Sequence, residues 1–217
     1  MEWLLDSAKR EDWQRVSATG LFSAVTTNPL LIQRAGLSVN FDTYKSLMNS
    51  ALELGFEHIQ FQVFGDDWCS AAEQILALSE RTVVKIPATE AGMQLAAKLA
   101  QPERTTITGV YSVRMGAIAE RLGARYAAPY YARLMESERD ADAIFAGLRT
   151  ACQNTRILVA SLRNVEQFEY LVAQGHRCFT IPGALLDTLL SDPMTEAAVL
   201  QFEAAAVESA SAIGDCD

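Results

Sequence analysis

Lys85 is the residue whose type and setting most directly suggest chemistry. Of four lysines it alone lies in an apolar, β-prone run, Val83-Val84-Lys85-Ile86-Pro87; Lys9, Lys45 and Lys98 fall in helical patterns that suit a solvated amine. Lysine is among the residue types least often buried, and desolvation disfavours its charged form. A lysine kept in a strand core is therefore a candidate for a free amine that attacks a carbonyl and forms a Schiff base. The alternative is a strand-end lysine whose amine snorkels to solvent.

Other polar residues stand at or just past the ends of apolar runs. Asp6 ends Trp3-Leu4-Leu5 and shares the face of Leu4, while Thr26 and Asn28 share a face at the end of the next run. Gln60 and Gln62 alternate with Phe61 and Val63, and Thr108, Tyr130 and Ser161 close three later runs. Residues two apart on a strand point the same way, so these groups are expected on one rim. Taken singly, each also reads as a loop cap or turn residue. Arg133 and Arg163 follow the runs that end at Tyr130 and Ser161. Two guanidiniums beside a hydroxyl suit a phosphate group, the alternative being solvated surface arginines.

The elements that must position these residues are short β-prone segments alternating with longer helical ones. Strands are predicted at 2–6, 23–27, 58–64, 82–87, 104–108, 125–130, 156–161 and 177–182, with Ala/Leu-rich amphipathic stretches such as 44–55, 71–81 and 91–100 between them. Strand–helix repetition implies parallel strands with right-handed crossovers. Eight units close into a (β/α)₈ TIM barrel, whose chemistry collects at the C-terminal ends of the strands. An open doubly wound sheet is disfavoured because no GxGxxG or GxxxxGK[ST] follows any strand. Residues 1–192 are thus read as one barrel, and 193–217 as an additional helix and tail. In the tail Ala198, Val199, Phe202, Ala205 and Ala206 form a stripe that packs on its own barrel or on a neighbouring subunit.

Composition sets the outer bounds. The chain has 217 residues, half of them apolar, and a net charge of −9. That charge argues against a nucleic-acid or anionic-membrane surface, though not against an anionic small molecule held by local arginines. The first residues do not read as a secretory signal, and no apolar run approaches a bilayer span. Cys69, Cys152, Cys178 and Cys216 show no metal-ligand spacing and read as reduced thiols of a cytoplasmic protein. His58 and His176 read as residues that open strands rather than as bases or ligands.

The ordered set LLD ending at Asp6, VTTNPLLI at 25–32, VVKIPAT at 83–89, TGVYS at 108–112, APYYAR at 128–133 and VASLRN at 159–164 resembles the transaldolase family. The resemblance runs from Met1 to about residue 208 and is nearest to its small branch, which contains fructose-6-phosphate aldolase. It implies that Lys85 is the Schiff-base lysine, Asp6 its acidic partner, and Asn28 a contact to substrate hydroxyls in a pocket shaped also by Thr26 and Ser161. A water held by Gln62, Thr108 and Tyr130 would then relay protons. Gln62 and Tyr130 stand where transaldolases carry Glu and Phe, which favours the aldolase, while Arg163 resembles the transaldolases. The expected reaction is formation or cleavage of fructose 6-phosphate from dihydroxyacetone, or a related hydroxyketone, and glyceraldehyde 3-phosphate. The alternative is transfer of a dihydroxyacetone unit between sugar phosphates. The resemblance further implies no metal or organic cofactor, and a homodecamer in which the C-terminal helix reaches a neighbour.

Overall fold

The computed structural model describes residues 1–214, and the side chains of residues 1–209. Eight strands pair in chain order, all in parallel: β1 (Glu2–Asp6), β2 (Ala24–Thr26), β3 (His58–Gln62), β4 (Thr82–Pro87), β5 (Thr105–Val110), β6 (Tyr126–Pro129), β7 (Arg156–Val159) and β8 (Cys178–Pro182). Strand β8 pairs with β1 and closes the barrel, as the strand–helix alternation requires. The outer face of each strand is largely apolar because it lies under helices, whereas the inner face, which fills the barrel, mixes apolar and buried polar residues. Leu5, Val25, Phe61, Val84, Ile86, Ile107 and Phe179 are fully buried on the outer face. On the inner face Leu4, Ala24, Tyr126, Ala128, Leu158 and Cys178 form one cluster.

Register places the polar residues. Asp6 is level with Thr26, Gln62 with Lys85, and Lys85 with Thr106. Partners at one level of a parallel pair face the same side, so Asp6, Thr26, Gln62 and Lys85 all point toward the barrel axis. The strand ends are held by the caps of the helices that follow. Asn28 accepts from the Leu31 amide, Thr89 from that of Gly92, and Asn164 from that of Gln167. Each satisfies a helix N-terminal donor and fixes the angle at which the chain leaves the rim.

Some expected strand ends move. β5 continues past Thr108 to Val110 through Gly109, whose φ of 72° lies in the left-handed region and accompanies a register shift against β6. β6 stops at Pro129, and Tyr130 makes only an isolated bridge to Ala160. β2 is confined to Ala24–Thr26, since Asn28 has turned to cap Pro29–Arg34.

The chain divides into two compact units, the first being Met1–Gly183 with all eight strands. The second, from Ala184 onward, carries the helices Leu186–Leu190 and Pro193–Gly214. On the longer helix Leu200, Phe202 and Val207 are 72%, 70% and 65% exposed. Cys152 and Cys178 are buried free thiols and Cys69 an exposed one; Cys216 lies outside the described residues. No helix among the described residues is long and apolar enough to cross a membrane.

Candidate active site

Lys85 is buried, and its Nζ donates to the backbone oxygen of Thr27 at 2.9 Å. Burial pushes the amine down from its ordinary value of 10.5, and the charge of Asp6 acts in the opposite direction. Snorkelling is therefore excluded: the amine ends in the barrel against a carbonyl. The Thr27 carbonyl is itself held, because the Thr27 amide and Oγ1 both donate to the Gln60 oxygen, at 3.0 and 2.9 Å. Burial thus favours the neutral form of the amine, whose lone pair is what an incoming carbonyl carbon needs.

Asp6 is fixed from the other side. Thr26 Oγ1 donates to Asp6 Oδ1 at 2.7 Å and lies 2.5 Å from Thr180 Oγ1. Since the Thr26 proton goes to the carboxylate, the Thr180 hydroxyl must donate to Thr26. The result is a directed chain, Thr180 to Thr26 to Asp6, that ends on a charged acceptor. Below Lys85 the barrel is closed by a second network. Thr106 Oγ1 donates to Gln60 Oε1 at 2.9 Å, and Gln60 Nε2 lies 3.3 Å from His58 Nε2. Burial and nearby arginines hold the His58 imidazole down to about 3, so at neutral pH it is uncharged.

Across the mouth, Thr108 Oγ1 and Tyr130 Oη are 2.9 Å apart, and burial raises the Tyr130 phenol above its ordinary value. Tyr130 is thus a neutral hydroxyl able to donate or accept. Gln62 is level with Lys85, and its side-chain amide is committed to no partner among the described residues; its backbone oxygen accepts from Tyr44 Oη at 2.9 Å. The two hydroxyls and one amide suit a held water better than a charged base.

The two rim arginines are placed differently. The Arg133 guanidinium lies over the Tyr130 ring at 5.0 Å and 3.4 Å from Tyr111 Oη. Arg163 pairs with Glu136 at 3.4 Å. Glu136 also contributes to raising the Arg133 guanidinium, so both arginines face the same carboxylate. Between them Ser161 adopts φ 63°, the left-handed region that a non-glycine residue visits at a cost, and its carbonyl accepts from the Ala132 amide at 3.1 Å. Asn28 spends its Oδ1 on the helix cap, which leaves its amide NH₂ as the group available for a ligand.

Lys85, Asp6, Thr26, Thr108 and Tyr130 are joined by these contacts and fields around one mouth. Thr27, Thr106 and Thr180 are the residues that sequence reasoning left out of the site, and Gln60, expected on the rim beside Gln62, lies instead in the buried network with Thr106 and His58. Thr180 had a signal, a hydroxyl on the same strand face as Cys178. Thr27 had none, because its contribution is a backbone carbonyl.

The sequence matches the family model Transaldolase/Fructose-6-phosphate aldolase over residues 3–214. It is 28% identical over 210 residues to a probable transaldolase of Streptococcus agalactiae serotype V, covering 93% of this chain and 95% of that one. A probable transaldolase of Desulfitobacterium hafniense strain DCB-2 is 29% identical over 214 residues, covering 93% and 96%. Among solved structures, an HpcH/Hpal aldolase/citrate lyase family protein from Burkholderia cenocepacia superposes with a TM-score of 0.63 at 11% identity, covering 93% and 94%. At that identity the likeness concerns the fold alone.

Proposed function

The chain belongs to the transaldolase/fructose-6-phosphate aldolase family, and on that premise we propose that it is a Schiff-base aldolase that cleaves or forms fructose 6-phosphate. The carrying observation is Lys85, a buried amine set against one fixed carbonyl and faced by an Asp6 that two threonines orient.

The neutral amine adds to the ketone of the bound ketose, and Asp6 moves protons on the nitrogen and the carbinolamine oxygen until water leaves. The resulting iminium is the electron sink. A water between Gln62, Thr108 and Tyr130 takes the proton from the hydroxyl at C4. The C3–C4 bond breaks, its electron pair forms the enamine on Lys85, and glyceraldehyde 3-phosphate departs. Protonation of the enamine at C3 and hydrolysis of the iminium release dihydroxyacetone and return the amine. Asn28 and Ser161 would hold the donor hydroxyls, and Arg133 and Arg163 the phosphate, with Arg163 exchanging Glu136 for the stronger bidentate acceptor.

Two features support the second reading, in which the enamine waits for an aldehyde acceptor and the protein transfers the three-carbon unit. The relatives cited above carry the name probable transaldolase, and Arg163 follows the pattern of that branch. Borohydride reduction in the presence of fructose 6-phosphate, followed by peptide mapping, tests the common chemistry. An adduct on Lys85 is expected, and its absence from folded protein would remove the proposal. Release of dihydroxyacetone without any acceptor identifies the aldolase; strict acceptor dependence identifies the transferase. The exposed apolar residues Leu200, Phe202 and Val207 support assembly through the C-terminal helix into the expected homodecamer. A monomer in light scattering would refute that assembly.

A further inference from the structure

At the end of the barrel opposite Lys85, five consecutive strands begin with an arginine. Arg81 precedes β4, Arg104 precedes β5, Arg125 precedes β6, Arg156 opens β7 and Arg177 precedes β8. Most of this collar is occupied. Arg81 donates to the Phe56 and Glu57 carbonyls, and Arg104 is buried among the Leu76, Ser79 and Thr82 oxygens. Arg125 lies over the Tyr126 ring, and Arg156 pairs with Glu2 at 2.9 Å. Arg177 differs: its guanidinium has neither an acceptor nor a ring partner among the described residues, although its backbone oxygen accepts from Glu2.

Arg177 lines an open groove of about 860 Å³ together with Arg149, Arg156 and Trp3. Arg149, at the end of the helix Ala141–Ala151, also has a guanidinium without an acceptor among the described residues. Its Nη1 lies 3.5 Å from the point where a Cβ on Gly175 would stand, two residues from Arg177. The field of Arg149 reaches His176, which it and burial hold down to about 4, so the imidazole adds no positive charge at neutral pH.

The groove therefore gathers two unpaired guanidiniums and a third shared with Glu2, with Glu57 the other carboxylate of its wall, in a chain of net charge −9. Concentrating unpaired cations in one concavity against that overall charge is what an anion site requires. We propose that this groove binds a phosphate monoester of a small organic molecule, at a site separate from the catalytic mouth. A phosphate monoester is a dianion near neutral pH, which matches the two free guanidiniums. The space far exceeds the phosphate and leaves room for an organic body against Trp3, Leu21 and Ile157.

Calorimetric titration with inorganic phosphate tests this in the full-length Arg133→Ala/Arg163→Ala protein, where the arginines of the catalytic mouth are absent. One site per chain is expected, with affinity reduced at least tenfold when Arg149→Gln and Arg177→Gln are added. In the wild-type background, Arg149→Gln/Arg177→Gln should leave borohydride trapping at Lys85 unchanged, which shows the fold is intact. Phosphate binding that is absent, or indifferent to Arg149 and Arg177, overturns the proposal. So does displacement of phosphate by equimolar malonate, which would make the groove a general carboxylate site.

Discussion

Replacing Lys85 by methionine should abolish the borohydride adduct and turnover, and should also stabilise the protein in a pH-dependent way that can be worked out from burial. The native amine is held below its ordinary 10.5, whereas the unfolded chain regains that value. Between the lowered native value and 10.5 the unfolded state binds one more proton than the native state, so stability rises with pH. Within this window the penalty for discharging the amine is about 1.4 kcal/mol for each pH unit below 10.5. Methionine removes the penalty but also strips the Thr27 oxygen of its 2.9 Å donor, which costs about 1–3 kcal/mol at any pH. The advantage of Lys85→Met over wild type should therefore shrink as pH rises through the window, by about 1.4 kcal/mol per unit, and level off above 10.5. Urea unfolding of both proteins across a pH series at one protein concentration measures this. A difference that does not change with pH would mean that burial does not lower the Lys85 amine, and the argument for its nucleophilicity would fall with it.

Tyr130→Phe keeps the ring under Arg133 but removes the hydroxyl 2.9 Å from Thr108, so turnover should fall about 10²-fold while Lys85 is still trapped by borohydride. His58, held to about 3 against an ordinary 6.5, contributes stability that is present above 6.5 and lost as pH falls toward 3. NMR titration should accordingly show an imidazole that remains neutral at pH 5, and His58→Phe should flatten the decline in stability between pH 6.5 and 5. Gly92→Ala would set a Cβ 2.0 Å from the Pro87 oxygen, so the helix Glu90–Lys98 must shift from the end of β4. A loss of about 3 kcal/mol in chemical denaturation is expected, with reduced activity because β4 carries Lys85.

The barrel was legible because its signals are local. Alternation of apolar runs with helical stretches marks each βα unit, and the handedness of parallel crossovers leaves few ways to join eight of them. Lys85 was legible for the same reason, since an amine inside Val83–Pro87 conflicts with the environment that its neighbours create. Strand parity likewise put Asp6, Thr26 and Gln62 on one side, because the side-chain period of a strand needs no tertiary contact to be read.

What closes around those residues was not legible. That Lys85 meets the Thr27 carbonyl depends on the placement of β2 and β4 on either side of β3 and on a backbone oxygen, which looks alike in every residue. The chain from Thr180 to Asp6 joins residues at opposite ends of the sequence, and exists only because β8 closes on β1. Local choices also compete for one atom: Asn28 fits both a substrate contact and a helix cap, and the structure commits its Oδ1 to the cap. The arginines show the same limit, since the partnership of Arg163 with Glu136 and the unpaired state of Arg177 follow from distances between loops rather than from spacing along the chain. The sequence by itself determined which groups were available and which way each strand faced. Only the closed barrel decided which of them meet, because hydrogen bonds and ion pairs depend on separations of a few ångströms that no local periodicity encodes.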